Sequence, residues 1–403
     1  MIPSFNPAGH DFAKNAYSVY TDLRAHAPIH KTDFDCYWLT RHADVKAALN
    51  HNATRAINLA ESFNLRMGGL QGTTGSFEEL SQSLQHYLLL QNGERHKELR
   101  KHFARLMDQS VIAGAKQRFE AALIIADAKL NSVDQIQAQQ ELATPIAVSF
   151  VCGLMGFPES DSGWIAQIIR SISRTIDIFI PTQEYIKIQS DLVEMIEYIE
   201  ELLDRKRHEP DSSLLTKVIP LLDTVSDDIR EGIFHNLIFL SIAASSTVND
   251  AIGMFTKGLV DHSDQTIGLE DDSVRLGRAV EELLRFYSPA EMVSRITEAP
   301  IHLEDGTIEP GYVFWGIIAS ANRDERVYEQ ADRLILSREK NPHLSFGYGP
   351  HSCLGNHAAR WELNAFVQMF AKHAPRFRAV DETLVWRKSG VFRGLEQLTL
   401  KRT

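Results

Sequence analysis

A helix candidate of unusual length, from about Ser226 to about Val260, sets the frame for any fold this chain can take. Ser226 can cap it, and Asp227 and Asp228 suit the positive end of its dipole. At 1.5 Å per residue it would run roughly 50 Å, enough to cross a whole domain. Its most apolar part, Ile233 to Ala244, includes His235, Asn236 and Ser241 and reads as too short and too polar for a bilayer. In the middle sits AASSTVND, Ala243 to Asp250. Small and hydroxylated residues halfway along a buried helix leave room for something or permit close packing, and packing is the default.

Much of the remainder also has helical spacing: Phe12 to His26, Ala43 to Asn50, Glu94 to Met107, Ala115 to Leu130, Glu141 to Leu154 and Glu184 to His208. Alternating or β-branched runs are short: Tyr37 to Thr40, Ile301 to Leu303, Val313 to Ile318 and Leu398 to Lys401. Turn signals such as Asp305-Gly306 and Pro310-Gly311 lie beside them. The expectation is a mainly α fold with a small β part, forming one domain over residues 1–403. RMGGLQGTTGSF, from Arg66 to Phe77, reads as a mobile loop, either a substrate gate or a plain connection.

The formal net charge of -11 argues against a nucleic-acid partner, because phosphate binding wants a basic surface. The start, MIPSFNPAGHDFAKNAY, has neither an apolar run nor a basic leader, so a cytoplasmic, membrane-free protein is expected. Its three cysteines, Cys36, Cys152 and Cys353, form no CxxC pair and no zinc spacing. A metal bound here would take few protein ligands.

Cys353 stands out by its surroundings, FGYGPHSCLG, from Phe346 to Gly355. A lone cysteine is ordinarily inert core. This one precedes a strongly helical run, LGNHAARWELNAFVQMFAKH, whose N-terminal N–H groups and dipole favour an anion such as a thiolate. Gly347, Gly349 and Gly355 let backbone fold round the sulfur and let a flat group approach. Phe346 supplies an apolar wall. A thiolate in such a setting suits haem iron used for O–O cleavage.

These residues resemble the haem-binding loop of the cytochrome P-450 superfamily, F-G-x-G-x-H-x-C-L-G, at every fixed position. The resemblance runs over nearly the whole chain. Glu282 and Arg285 match the family's E-x-x-R, which implies a structural clamp behind the haem, with Arg333 as its third member and Arg338 as a second candidate. Asn322, Arg323, Asp324, Asn341, His343 and Leu344 match the segment leading into the loop. The resemblance further implies haem b ligated by Cys353 and packed on Phe346, Gly347, Gly355 and Ala243. Its propionates would meet His96, Arg100, Arg295 and His351.

Arg95, Lys97, Arg100, Lys101 and Arg105 cluster against Glu94 and Glu98. They read either as a solvated helix face or as a docking patch for an acidic ferredoxin or flavodoxin. The chain has no flavin or ferredoxin segment, so electrons from NAD(P)H would arrive through a separate partner. A monomer is expected.

On the distal side the sequence departs from the family. Where [AG]-G-x-[DE]-T is usual, Ala243, Ala244, Ser245, Ser246 and Thr247 stand. Reduction of dioxygen consumes protons, and the acid–alcohol pair normally relays them. Ser246 cannot buffer near neutral pH but can hold water. Thr247 is kept, and Asp250, one turn beyond Ser246, offers another route. The implied activity is monooxygenation of a small apolar or aromatic molecule of secondary metabolism. Oxidative coupling or ring closure without oxygen insertion is the alternative, and a non-enzymatic haem sensor a remote third. The pocket would draw on Met67, Leu70, Phe77, Met292, Val293, Val391 and Phe392. Glu291 would meet a basic or phenolic group or point to solvent.

Overall fold

The long helix forms where its sequence places it, over Asp227–Asp261. The structure, a computed structural model, describes residues 12–61, 63, 77–177 and 180–403. It separates into two compact units. One comprises the described parts of Met1–Ile57, Leu123–Ala143 and Thr247–Thr403; the other comprises those of Asn58–Ala122 and Thr144–Ser246.

All the described strands lie in the first unit. A five-stranded sheet runs in the order Ile29–Lys31, Tyr37–Leu39, Val313–Gly316, Val293–Thr297, Thr54–Arg55. Tyr37–Leu39 pairs in parallel with Val313–Gly316, which pairs antiparallel with Val293–Thr297. The sheet packs on Leu39, Val45, Leu49, Phe314, Ile318 and Leu344, a buried core that also seats the segment entering the cysteine turn. A three-stranded sheet, Gln135–Gln137, Thr399–Arg402 and Phe377–Ala379, gathers the end of the chain.

The second half of the long helix fits this unit through its glycines. A Cβ on Gly253 would collide with Gln139, and one on Gly258 with the Tyr287 ring. Gln139 uses the room to donate to Asn249 Oδ1 at 2.9 Å. Gln139–Ala143 is a π-helical turn that opens the helix Thr144–Met155.

The described second unit is helical. Glu78–His86, Gly93–Leu106, Ser162–Ile172, Thr182–His208 and Leu214–Leu222 are its main pieces. Gly153 lets Thr144–Met155 approach Gly114 and Ala115 so closely that a Cβ would lie 2.7 Å from Ala115 Cα. Phe63, Phe77 and Tyr185 form an aromatic group, with ring centres 5.9 and 5.3 Å apart.

One expectation needs correcting. Asp227–Asp261 as a whole is long and apolar enough for a membrane span; 67% of its apolar window is buried in the protein instead. Judged by the whole helix rather than by Ile233 to Ala244, length excludes nothing; burial is what marks a core helix.

Candidate active site

The clamp is the most heavily bonded part. Glu282 and Arg285 lie on the helix Ser273–Tyr287, whose Asp272 cap accepts from the N–H groups of Val274 and Arg275. Both side chains are fully buried. Arg285 donates to both Glu282 oxygens, at 2.7 and 2.8 Å, and to the carbonyls of Asn322, Ala331 and Arg333. Glu282 also accepts from Asn341, the Ile335 N–H and Arg338, the last at 2.9 Å. The third cation is therefore Arg338, not Arg333. Arg333 joins only through its carbonyl; its guanidinium is exposed and bonds Gln330.

From the clamp the bonding continues to the cysteine turn. Asn322, whose carbonyl Arg285 holds, accepts the Leu344 N–H at 2.7 Å and donates to Ser345 and Ser288. The Leu344 carbonyl accepts from Gly347, and the Phe346 carbonyl accepts the Cys353 N–H at 2.8 Å. Gly347 and Gly349 have φ of +68° and +76°, a conformation that disfavours a side chain. A Cβ on Gly349 would also lie 2.7 Å from the Leu49 carbonyl. Cys353 is half-buried, three residues before the helix Asn356–Ala371, and Asn356 donates back to its carbonyl at 2.9 Å.

A second network beside the first escaped the sequence reading. Glu281 accepts from Arg360 at 2.7 Å and bonds His343 at 3.0 Å. Arg360 also donates to Asn356 Oδ1 and lies 4.4 Å over the Phe346 ring. Burial would raise the Glu281 pKa, but the bonds from His343 and Arg360 outweigh it and hold the carboxyl at about 2. The adjacent acids, on a helix with few other charges turned inward, were the available signal.

Arg295 lies on the strand Val293–Thr297, opposite Phe314. It is buried, its bond to the Ser294 carbonyl is 2.6 Å, and no acidic partner for it stands among the described residues. Burial alone lowers its pKa to about 10. A buried cation of this kind is costly until an anion joins it. A Cβ on Gly355 would meet nothing within 4 Å, whereas one on Gly349 meets backbone. A thiol in a fixed turn, open space at Gly355 and an uncompensated buried guanidinium fit a flat, dianionic haem.

Also in the first unit, the backbone at Met292 meets Val391, and Val293 follows as the first residue of its strand. The Glu291 N–H donates to the Val391 carbonyl at 2.8 Å, and Ala290 bridges Phe392. Glu291 itself turns elsewhere. It is buried, accepts from Tyr20 at 2.8 Å and lies 3.7 Å from Arg393, so it neither reaches solvent nor stands free for a ligand. Burial raises its pKa, with Arg393 and Tyr20 opposing.

In the second unit His96 is buried and Arg100 half-buried, one turn apart on a single helix face. Lys97, Lys101 and Arg105 form an exposed stripe, while Arg95 turns to Asp228 and His86. Along the long helix Ala243, Ala244 and Thr247 are half-buried on one face, and Ser245 and Ser246 are buried. Phe77 is in the aromatic group already described; Met67 and Leu70 lie outside the described residues.

The cytochrome P-450 family profile matches residues 276–373. The biotin biosynthesis cytochrome P-450 of Bacillus subtilis is 27% identical over 99% of both chains. The cytochrome P-450 monooxygenase PikC of Streptomyces venezuelae is 28% identical over 98% of this chain and 92% of its own. In fold the chain resembles P-450 BioI, solved in complex with acyl carrier protein ligated to hexadec-9Z-enoic acid. That match has a TM-score of 0.85 and 24% identity, and covers 98% of this chain and 99% of the other. Over nearly its whole length the chain is similar to these cytochromes P-450, and its fold is theirs. It is an oxidoreductase of the haem-thiolate class, which uses dioxygen, and its named relatives are enzymes, which sets the sensor reading aside.

Proposed function

We propose that the chain is a single haem-thiolate domain in which Cys353 holds the iron of haem b, and that it monooxygenates a small apolar or aromatic molecule of secondary metabolism. The observation that carries this reading is the turn at Cys353, fixed through Phe346, Leu344 and Asn322 to the buried Glu282–Arg285 pair. When bound, a thiolate-ligated haem promotes cleavage of the O–O bond of dioxygen. The chain's own residues do the rest. Arg295 and His351, with His96 and Arg100, offset the propionate charge. Thr247 holds a proton at its hydroxyl, and Ser246 holds water beside it. Met67, Leu70, Phe77, Met292, Val293, Val391 and Phe392 exclude water and orient the substrate. Electrons from NAD(P)H come through a ferredoxin or flavodoxin-type carrier steered by Lys97, Lys101 and Arg105. The protein acts as a cytoplasmic monomer.

Ser246 at the place of the usual acid favours a second reading, oxidative coupling or cyclisation without oxygen insertion. Two measurements test these readings. Reduced protein under carbon monoxide should show the red-displaced band of a thiolate-bound haem, and Cys353→Ala should lose it; persistence of the band in that variant overturns both readings. Mass analysis of turnover products then separates them. One added oxygen atom supports monooxygenation; a dimer, or loss of two hydrogens, supports coupling.

A further inference from the structure

Asp250 lies on the long helix one turn beyond Ser246, where an acid could stand in for the missing one. Its contacts point another way. It is 1% exposed and forms an ion pair with Arg387 Nη1 at 2.7 Å. Its carboxylate sits against Gly394 so closely that a Cβ there would collide with it. Arg387 and Gly394 are the two ends of one tight turn, closed by a bond from the Arg387 N–H to the Gly394 carbonyl at 3.0 Å. Inside the turn, Ser389 Oγ accepts the N–H groups of Val391 and Phe392 at 3.2 and 3.0 Å. The Arg387 guanidinium lies 5.4 Å from the centre of the Phe392 ring. The far side of the turn is held by the Val391 carbonyl on the Glu291 N–H and by the Arg393 N–H on the Pro289 carbonyl.

We propose that Asp250 is a positioning residue for substrate selection: its ion pair with Arg387 and its seat against Gly394 fix the turn 387–394 and thereby the placement of Val391 and Phe392. This rests on the reading of those two side chains as pocket wall. Removing one partner of a buried pair takes away the nearest opposite charge from the other, so the turn moves to solvate it. A small ligand on the iron would not notice; a bulky one would.

The test uses the haem-loaded protein and its Asp250→Asn, Arg387→Gln and Arg387→Lys variants. Imidazole and 4-phenylimidazole are titrated separately, followed by the Soret shift. The expected result is imidazole affinity within about twofold of wild type throughout, with 4-phenylimidazole weakened on the order of tenfold in Asp250→Asn and Arg387→Gln. Arg387→Lys keeps the charge and should restore most of the loss. Hydrogen exchange at the Val391 and Phe392 amides should quicken in the same two variants. Equal weakening of both azoles, or unchanged binding with unchanged exchange, overturns the proposal; the latter is what a proton donor at Asp250 would give. Should Asp250→Asn fail to fold, Arg387→Gln carries the test alone. Should 4-phenylimidazole fail to bind wild type, the pocket reading falls, and exchange at Val391 and Phe392 still decides whether Asp250 anchors the turn.

Discussion

The turn at Cys353 and the middle of the long helix differ in how much freedom their chemistry leaves. In the turn, every residue type the motif asks for is present, and its first and central members are tied back to the clamp. Asn322 links the clamp to Leu344, Leu344 holds Gly347, and Phe346 holds Cys353. In the helix the usual acid is absent at Ser246, and the next acid, Asp250, is committed to Arg387. Holding a metal by one sulfur needs one backbone geometry. Moving a proton needs only a connected set of hydroxyls and waters, which many sequences can supply. The first demand leaves a readable motif, the second a loose one.

The largest expected effect tests the rigid side. Glu282→Ala leaves Arg285 and Arg338 buried without their anion and should cost about 3–5 kcal/mol. Urea unfolding should show it, together with poor haem retention. Arg338→Ala should cost about 1–2 kcal/mol, because Arg338 Nε is one of several donors to Glu282. Arg333→Ala should stay within about 0.5 kcal/mol, since only its carbonyl is used. A larger loss for Arg333→Ala than for Arg338→Ala would reverse the assignment of the third cation.

A pair of glycine variants sharpens the same side. Gly349→Ala meets both a positive φ and the Leu49 carbonyl, and should destabilise by about 2 kcal/mol. Gly355→Ala has ordinary φ and open space beside it, so apoprotein stability should change by less than about 0.5 kcal/mol. Haem affinity should nevertheless fall, because the added methyl takes space a flat ligand needs. Equal haem affinity in Gly355→Ala and wild type would remove Gly355 from the cradle.

What could be read beforehand follows the range of each interaction. Glu282 and Arg285 are three apart on one helix, and the cysteine turn is ten consecutive residues; both are local and were legible. The long helix was placed within a residue at each end by its caps and period. Choosing between Arg333 and Arg338 depended on the path of the 331–338 segment, which has no period to read. Arg360, His343 and Glu281 meet only because two helices and the segment entering the cysteine turn converge. Glu291 illustrates the opposite error. It neighbours Met292 in sequence, but successive residues point apart, and it faces Tyr20 instead.

The Glu281 network gives a pH test of intermediate size. Its folded-state pKa, about 2, is below the ordinary carboxylate value, so its contribution is fully present above that ordinary value. The contribution is lost as pH falls from about 4.5 towards 2. Partial exposure screens it, leaving about 1–2 kcal/mol. Glu281→Gln should flatten stability over that window and leave the neutral-pH fold intact. An unchanged acid limb of the stability curve would mean that the pair with Arg360 contributes nothing.

The smallest expected effect probes the loose side. Ser246→Asp restores an acid beside Thr247 without altering the cysteine turn, so the carbon monoxide band should not move. Ser246 is 8% exposed, and a carboxylate there will stay charged only if water or a cation reaches it. If proton delivery limits the wild type, product formed per reductant should rise severalfold and peroxide release should fall. If the serine already holds a sufficient water chain, neither ratio will change, and a buried acid will lower stability by about 1 kcal/mol for no gain. A shift from coupled or dehydrogenated product to oxygenated product would show that the residue at position 246 directs the outcome of the reaction rather than its rate.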